Sequence, residues 1–187
     1  ELFDNPLKTN TRYYMENPLM EMNNAKAMFN FDMMGRLSED RKLLVGGTGT
    51  ALESDSILDI GIDSLKYKVM RSKSGTGPSD HASFYGENIP VLFFSTGVHD
   101  DYHTPNDHIR LINLEGAEVL GEDLYELLRI YTQSDQKLTF QESGDSGNQG
   151  MRRRMKVTLG IVPDFATEVE GLGVAGVRPG RPAHGGG

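Results

Sequence analysis

The sequence predicts an α/β fold, a sheet covered by helices on both faces. Three observations predict it. Strand-like and helix-like patterns alternate over residues 1–133. Residues 91–94, VLFF, are a continuous apolar run between Pro90 and Gly97, as a central parallel strand requires. After Asn113, the residues Leu114, Ala117, Leu120, Leu124, Leu127, Leu128 and Tyr131 recur at three- and four-residue steps, the stripe of one long helix.

The other elements follow in order. Residues 11–17 read as the end of a helix stopped before Pro18. Residues 25–33, AKAMFNFDM, read as a buried strand, and 42–45 as another, closed by the turn Gly46-Gly47-Thr48-Gly49. A helix is expected over 54–65 and a short strand over 67–70. Residues 79–85 suit a short helix with Ser79 as its cap. Residues 134–152 are polar and rich in Gly, Ser and Gln, the composition of a linker. Residues 153–187 begin basic and become apolar and Gly-rich, a second region.

The chain has 187 residues, with 19 Lys and Arg against 27 Asp and Glu, a formal net charge of −8. That surface repels phosphate, so neither nucleic acid nor an anionic membrane is an expected partner. Cysteine is absent, which excludes disulfides and thiolate metal sites. No apolar run reaches the roughly 20 residues of a transmembrane helix. No signal peptide is visible. The chain opens on Glu1 and closes on three glycines, so both ends read as cut, with room for an export signal upstream.

In α/β sheets the chemistry gathers at the carboxyl ends of the strands, here just after Phe31 and just after Phe94. The second place holds the densest polar cluster, from His99 to His108 (HDDYHTPNDH). Imidazole with carboxylate suits zinc. The alternative is a solvated acidic loop, since no HExxH pair is present. The first place holds Asp32 in an apolar run, where a carboxylate needs a partner or a metal. It either points into a site, caps a loop or pairs with Arg36. A third segment, GPSDHASF, sets Asp80 and His81 at a helix start, either orienting a substrate or serving as a simple cap. No GxSxG surrounds Ser79, Ser83 or Ser95, which speaks against a serine hydrolase.

Taken in order, FNFDMMGR, GPSDHASF, IPVLFF, DYHTPND and a long helix resemble the di-zinc exopeptidases of metallopeptidase family 28. That family includes bacterial leucyl aminopeptidases and glutamate carboxypeptidases. RYYMENP before the first strand is similar too, and the likeness covers residues 12–131. It implies a three-layer sandwich with a mixed, mostly parallel sheet, of the phosphorylase/hydrolase-like zinc peptidase type. It also implies two zinc ions held by a His, a bridging Asp, a Glu, an Asp and a final His. By motif, Asp32 matches the fourth ligand and His103 the fifth, on different zinc ions. Ser79, Asp80 and His81 match a stretch lining the substrate side, Tyr102 precedes the ligand His, and Asp107 braces the loop. The implied reaction is zinc-assisted hydrolysis of N-terminal residues from peptides, with a glutamate general base.

The departures matter. The first three ligands and the general base belong upstream. Glu1 could close the family's Glu-Glu pair, but residues 2–11 lack the usual pattern after it. Thr76 stands where some relatives carry a carbonyl-polarising tyrosine. The chain as given is therefore expected to be inactive. Residues 156–177, followed by RPGRPA, look like the first half of a bacterial PDZ domain, with Leu159, Gly160 and Ile161 in the loop that receives a peptide C-terminus. The alternative there is a generic small β segment. An exopeptidase joined to a PDZ module suggests a secreted, periplasmic or envelope-associated bacterial protein. Two other functions stay open. One is a glutaminyl-cyclase-like single-zinc enzyme, whose usual Trp before the last ligand is here Tyr102. The other is a non-catalytic peptide-binding protein of the same fold.

Overall fold

A computed structural model describes residues 10–102, 104–134, 138–143, 161–164 and 173–177. It divides into two compact units, Glu1–Ser143 and Gly144–Gly187.

The first unit is built on four strands: β1 (Met28–Phe31), β2 (Lys42–Gly46), β3 (Lys68–Arg71) and β4 (Val91–Ser95). Their order is β1-β4-β2-β3. β1 runs parallel to β4, and β2 parallel to β3, while β2 and β4 are antiparallel. The sheet is thus mixed and mostly parallel. VLFF does form an inner strand, but with one antiparallel neighbour. Its burial on both faces explains the unbroken apolar run: Val91, Leu92 and Phe94 have no exposed surface. β1 is shorter than the apolar run suggests, because the backbone turns at Met33, whose φ is +56°.

Helices cover both faces. On one side α2 (Ser54–Gly61) and α4 (Leu114–Gln133) pack together over Leu43, Val45, Leu92 and Phe94. The stripe of α4 is seated by Leu120, Leu124 and Leu127, all buried. Gly61 lets the two helices meet, since a Cβ there would lie 2.1 Å from Leu127 Cδ1. Asn113 caps α4, its Oδ1 accepting from the Gly116 N–H at 2.8 Å. On the other side α3 (His81–Gly86) packs on β1 and β4 and meets α1 (Asn10–Glu16). Successive residues of a strand face opposite ways, so Phe93 meets His81 with ring centroids 4.7 Å apart, while its neighbours face α4.

The turn after β2 requires glycine. Gly47 has φ +79°, and a Cβ there would sit 2.3 Å from the Val91 carbonyl oxygen. Beside it the Thr50 hydroxyl accepts from the Val91 N–H at 2.9 Å, which fixes this turn to the start of β4. No helix among the described residues is long and apolar enough to cross a membrane.

In the second unit β5 (Ile161–Asp164) and β6 (Gly173–Val177) form an antiparallel pair, with a register shift between Val162 and Pro163. Leu159 and Gly160 of the expected carboxylate loop lie outside the described residues; Ile161 opens β5.

Candidate functional site

Because β1 and β4 are parallel, their carboxyl ends lie at the same edge of the sheet. The two following loops are stitched there. The Asp32 N–H donates to the Phe94 carbonyl at 3.0 Å. Thr96 Oγ1 donates to the Met33 carbonyl. Two polar clusters form at this edge.

The first joins Asp32, Ser79, Asn30 and His81. Ser79 Oγ donates to Asp32 Oδ2 at 2.7 Å. Asn30 Nδ2 donates to Ser79 Oγ at 2.7 Å and lies 3.4 Å from His81 Nδ1. An amide donor facing Nδ1 leaves the neutral ring its proton on Nε2. His81 is only 3% exposed. That burial pushes its pKa down, against the opposing charges of Asp32 and Asp80. Gly77 closes over the ring, since a Cβ there would lie 2.8 Å from His81 Nε2. Ser79 does not cap α3 as expected. The cap position is Asp80, with no side-chain cap bond, and the Ser79 hydroxyl instead donates to Asp32 and accepts from Asn30. Asp80 itself is exposed.

The second cluster lines an open cleft of about 750 Å³ with Met33, Arg36, His99, Tyr102, Asp107 and Ile112 among its walls. Arg36 Nη2 donates to Asp107 Oδ1 at 2.7 Å and to Asp101 Oδ2 at 3.3 Å. Arg36 thus pairs with these two carboxylates and not with Asp32. Its hydrogen bond holds the Asp107 carboxyl below the usual range. His99 Nε2 stands 3.9 Å from Asp107 Oδ2, while its buried Nδ1 has no hydrogen-bond partner among the described residues. Tyr102 is 44% exposed. His103 lies outside the described residues.

The structure therefore gathers Asp32, Ser79 and His81 in one cluster, and Tyr102 and Asp107 in the neighbouring cleft. Sequence reasoning missed Asn30, which holds the first cluster together, and of the alternatives left open for Asp32 the pairing with Arg36 is not the one formed. The signal for Asn30 was present: an amide inside the apolar strand FNF needs a partner once it is buried.

Asp32 suits a metal donor. One oxygen is oriented by Ser79, and the carboxylate remains half-buried rather than sealed. A complete centre is not formed, since no group of three or more His, Cys, Asp or Glu among the described residues is placed to hold a metal ion. A zinc site takes at least three protein donors.

The sequence matches the model of peptidase family M28 over residues 9–128. Among solved structures, it is similar to LapA of Legionella pneumophila, with 25% identity over 66% of this chain and 35% of that one, at a TM-score of 0.51. It also shares the fold of BSAP, a zinc aminopeptidase from Bacillus subtilis, with 23% identity over 71% of this chain and 35% of that one, at a TM-score of 0.53. The chain spans about a third of the length of these structures. No curated protein matches it.

Proposed function

The chain belongs to peptidase family M28, and from that premise we propose that it is part of a zinc-dependent aminopeptidase, to which it contributes Asp32 and His103 as donors to two different zinc ions. The observation that carries the reading is Asp32 itself. It sits at the carboxyl end of β1, fixed by Ser79 on one oxygen, beside the loop that follows β4 and contains position 103. The remaining donors and the general base are drawn from sequence outside these 187 residues.

When bound, zinc supplies Lewis acidity that polarises a scissile carbonyl and acidifies water. The residues of this chain prepare that chemistry. Ser79 fixes the rotamer of the Asp32 carboxylate, and Asn30 fixes Ser79. His81 stays neutral behind them, which keeps a competing positive charge away from the site. The open cleft beside Tyr102 and Met33 offers room for a peptide. Its substrates are peptides with a free N-terminus.

For the second unit we infer the N-terminal half of a PDZ domain, with Leu159, Gly160 and Ile161 receiving a peptide C-terminus. The antiparallel pairing of β5 with β6 is compatible with that. A protein of this build belongs in a secreted, periplasmic or envelope-associated setting.

Zinc stoichiometry by native mass spectrometry, on the protein extended upstream, tests the function. Two zinc ions, reduced by Asp32→Ala and by His103→Ala, are expected. One zinc would favour the cyclase-like enzyme, and none would leave a fold without the chemistry.

A further inference from the structure

Ser79 and His81 lie inside one stretch of chain, from Gly75 to Tyr85, whose two ends are held by the same residue. The Gly75 N–H donates to Ser143 Oγ at 3.0 Å, and the Tyr85 hydroxyl donates to the Ser143 carbonyl at 3.2 Å. The two ends also pack on each other, since a Cβ on Gly75 would lie 2.6 Å from Tyr85 Cγ. Between them Gly77 closes on the His81 ring, and Tyr85 stands one helical turn beyond His81, both buried on α3. Ser143 ends a strap, residues 138–143, that crosses the turn after β2. Phe140 of the strap bridges Ala51 in antiparallel sense. The Leu52 N–H donates to the Thr139 carbonyl at 3.2 Å, and the Gln141 N–H to the Thr50 carbonyl at 2.9 Å. The Phe140 and Tyr85 rings stand 5.8 Å apart between centroids. Glu53 accepts from both the N–H and the hydroxyl of Thr139, each at 2.7 Å, and these bonds hold its carboxyl below the usual range. Gly49 makes room for the strap, for a Cβ there would lie 2.9 Å from Ser143 Cβ.

We propose that Ser143 is a positioning residue for the cluster of Asp32, Ser79 and Asn30. By pinning Gly75 and Tyr85 together it closes the segment that carries Ser79, and so fixes where the Ser79 hydroxyl stands. That hydroxyl meets Asp32 Oδ2 and Asn30 Nδ2, each at 2.7 Å. Two bonds on one oxygen tolerate little displacement, because hydrogen bonds weaken steeply as their angle closes. The segment has a loose joint at Gly77, where the absence of a Cβ frees the backbone. A loop with both ends tied keeps few conformations, and one with an end released regains them. The strap supplies the tie from outside the segment, on chain already fastened at Thr139 and Gln141. No metal takes part, so the role stands apart from the reading of Asp32 as a zinc donor.

Nuclear magnetic resonance on the 187-residue chain without metal, comparing Ser143→Ala with the unaltered protein, tests this. Alanine removes the acceptor of the Gly75 N–H and keeps the backbone carbonyl that Tyr85 uses. Amide exchange at Gly75 should quicken about fivefold, as loss of one hydrogen bond implies. Two readouts lie beyond the strap's own contacts. The Ala82 N–H donates to the Ser79 carbonyl at 3.2 Å, and its exchange should quicken about threefold. The side-chain amide protons of Asn30, bonded to Ser79 Oγ, should move toward the position of a free amide. Ala117, at the start of α4, is the reference and should exchange as before. Faster exchange at Gly75 with the Asn30 signal unmoved would overturn the proposal and leave Ser143 a local fastening. No change at Gly75 would overturn it as well. An equal rise at Ala117 would also overturn it, since the variant would then have loosened the whole unit.

Discussion

His81 is the residue whose chemistry its surroundings change most plainly. It packs on Phe93, faces Asn30 and is covered by Gly77. In the unfolded chain its ring takes up a proton near pH 6.5, while burial lowers that value in the fold. The folded state therefore resists protonation. The stability due to neutral His81 is fully present above pH 6.5 and is lost as pH falls through the lowered folded value. Thermal melting of the 187-residue chain should drop between pH 7.5 and pH 5, and the drop should be shallower in His81→Gln. Equal slopes in the two proteins would assign the acid sensitivity to another group. Asn30 shows why this residue pair escaped notice in the sequence. Its role depends on a Ser and a His 49 and 51 positions away, which no local pattern connects.

At the scale of elements, α4 was the most legible feature, because its apolar stripe is dictated by the helical period itself. Its inner residues Leu120, Leu124 and Leu127 are buried, whereas Leu114, in the first turn, is 72% exposed. Leu127 has no exposed surface and meets Gly61 of α2. Leu127→Ala should cost about 3 kcal/mol in urea unfolding, the sum of lost transfer energy and a cavity. A loss below about 1 kcal/mol would mean that the junction of α2 and α4 can collapse to fill the gap. Strand direction was less legible. An apolar run reports burial on both faces, not the sense of its neighbours. β2 and β4 are antiparallel, and after β2 the chain turns at Gly47, which leaves room for the Val91 carbonyl, and is tied to Val91 by the Thr50 hydroxyl.

For the molecule as a whole, the question is whether this chain suffices for catalysis. No three donors among its described residues are placed to hold a metal ion, and the chain spans about a third of the peptidase structures it matches. An aminopeptidase assay on the 187 residues with added zinc should therefore show no turnover above the zinc-only control. Clear turnover, abolished by Asp32→Ala, would mean that the donors have been assigned to the wrong positions.

The sequence by itself determined the α/β class, the long helix, the placement of polar chemistry after Phe31 and Phe94, and the family resemblance, because burial and helical periodicity are local properties of the chain. Only the tertiary structure decided the partners. It gave Ser79 to Asp32 instead of to a helix cap, and Arg36 to Asp101 and Asp107 instead of to Asp32. Each of these contacts joins residues more than 40 positions apart. Such a pairing depends on which strand ends the fold brings to one edge, and a linear pattern does not carry that information.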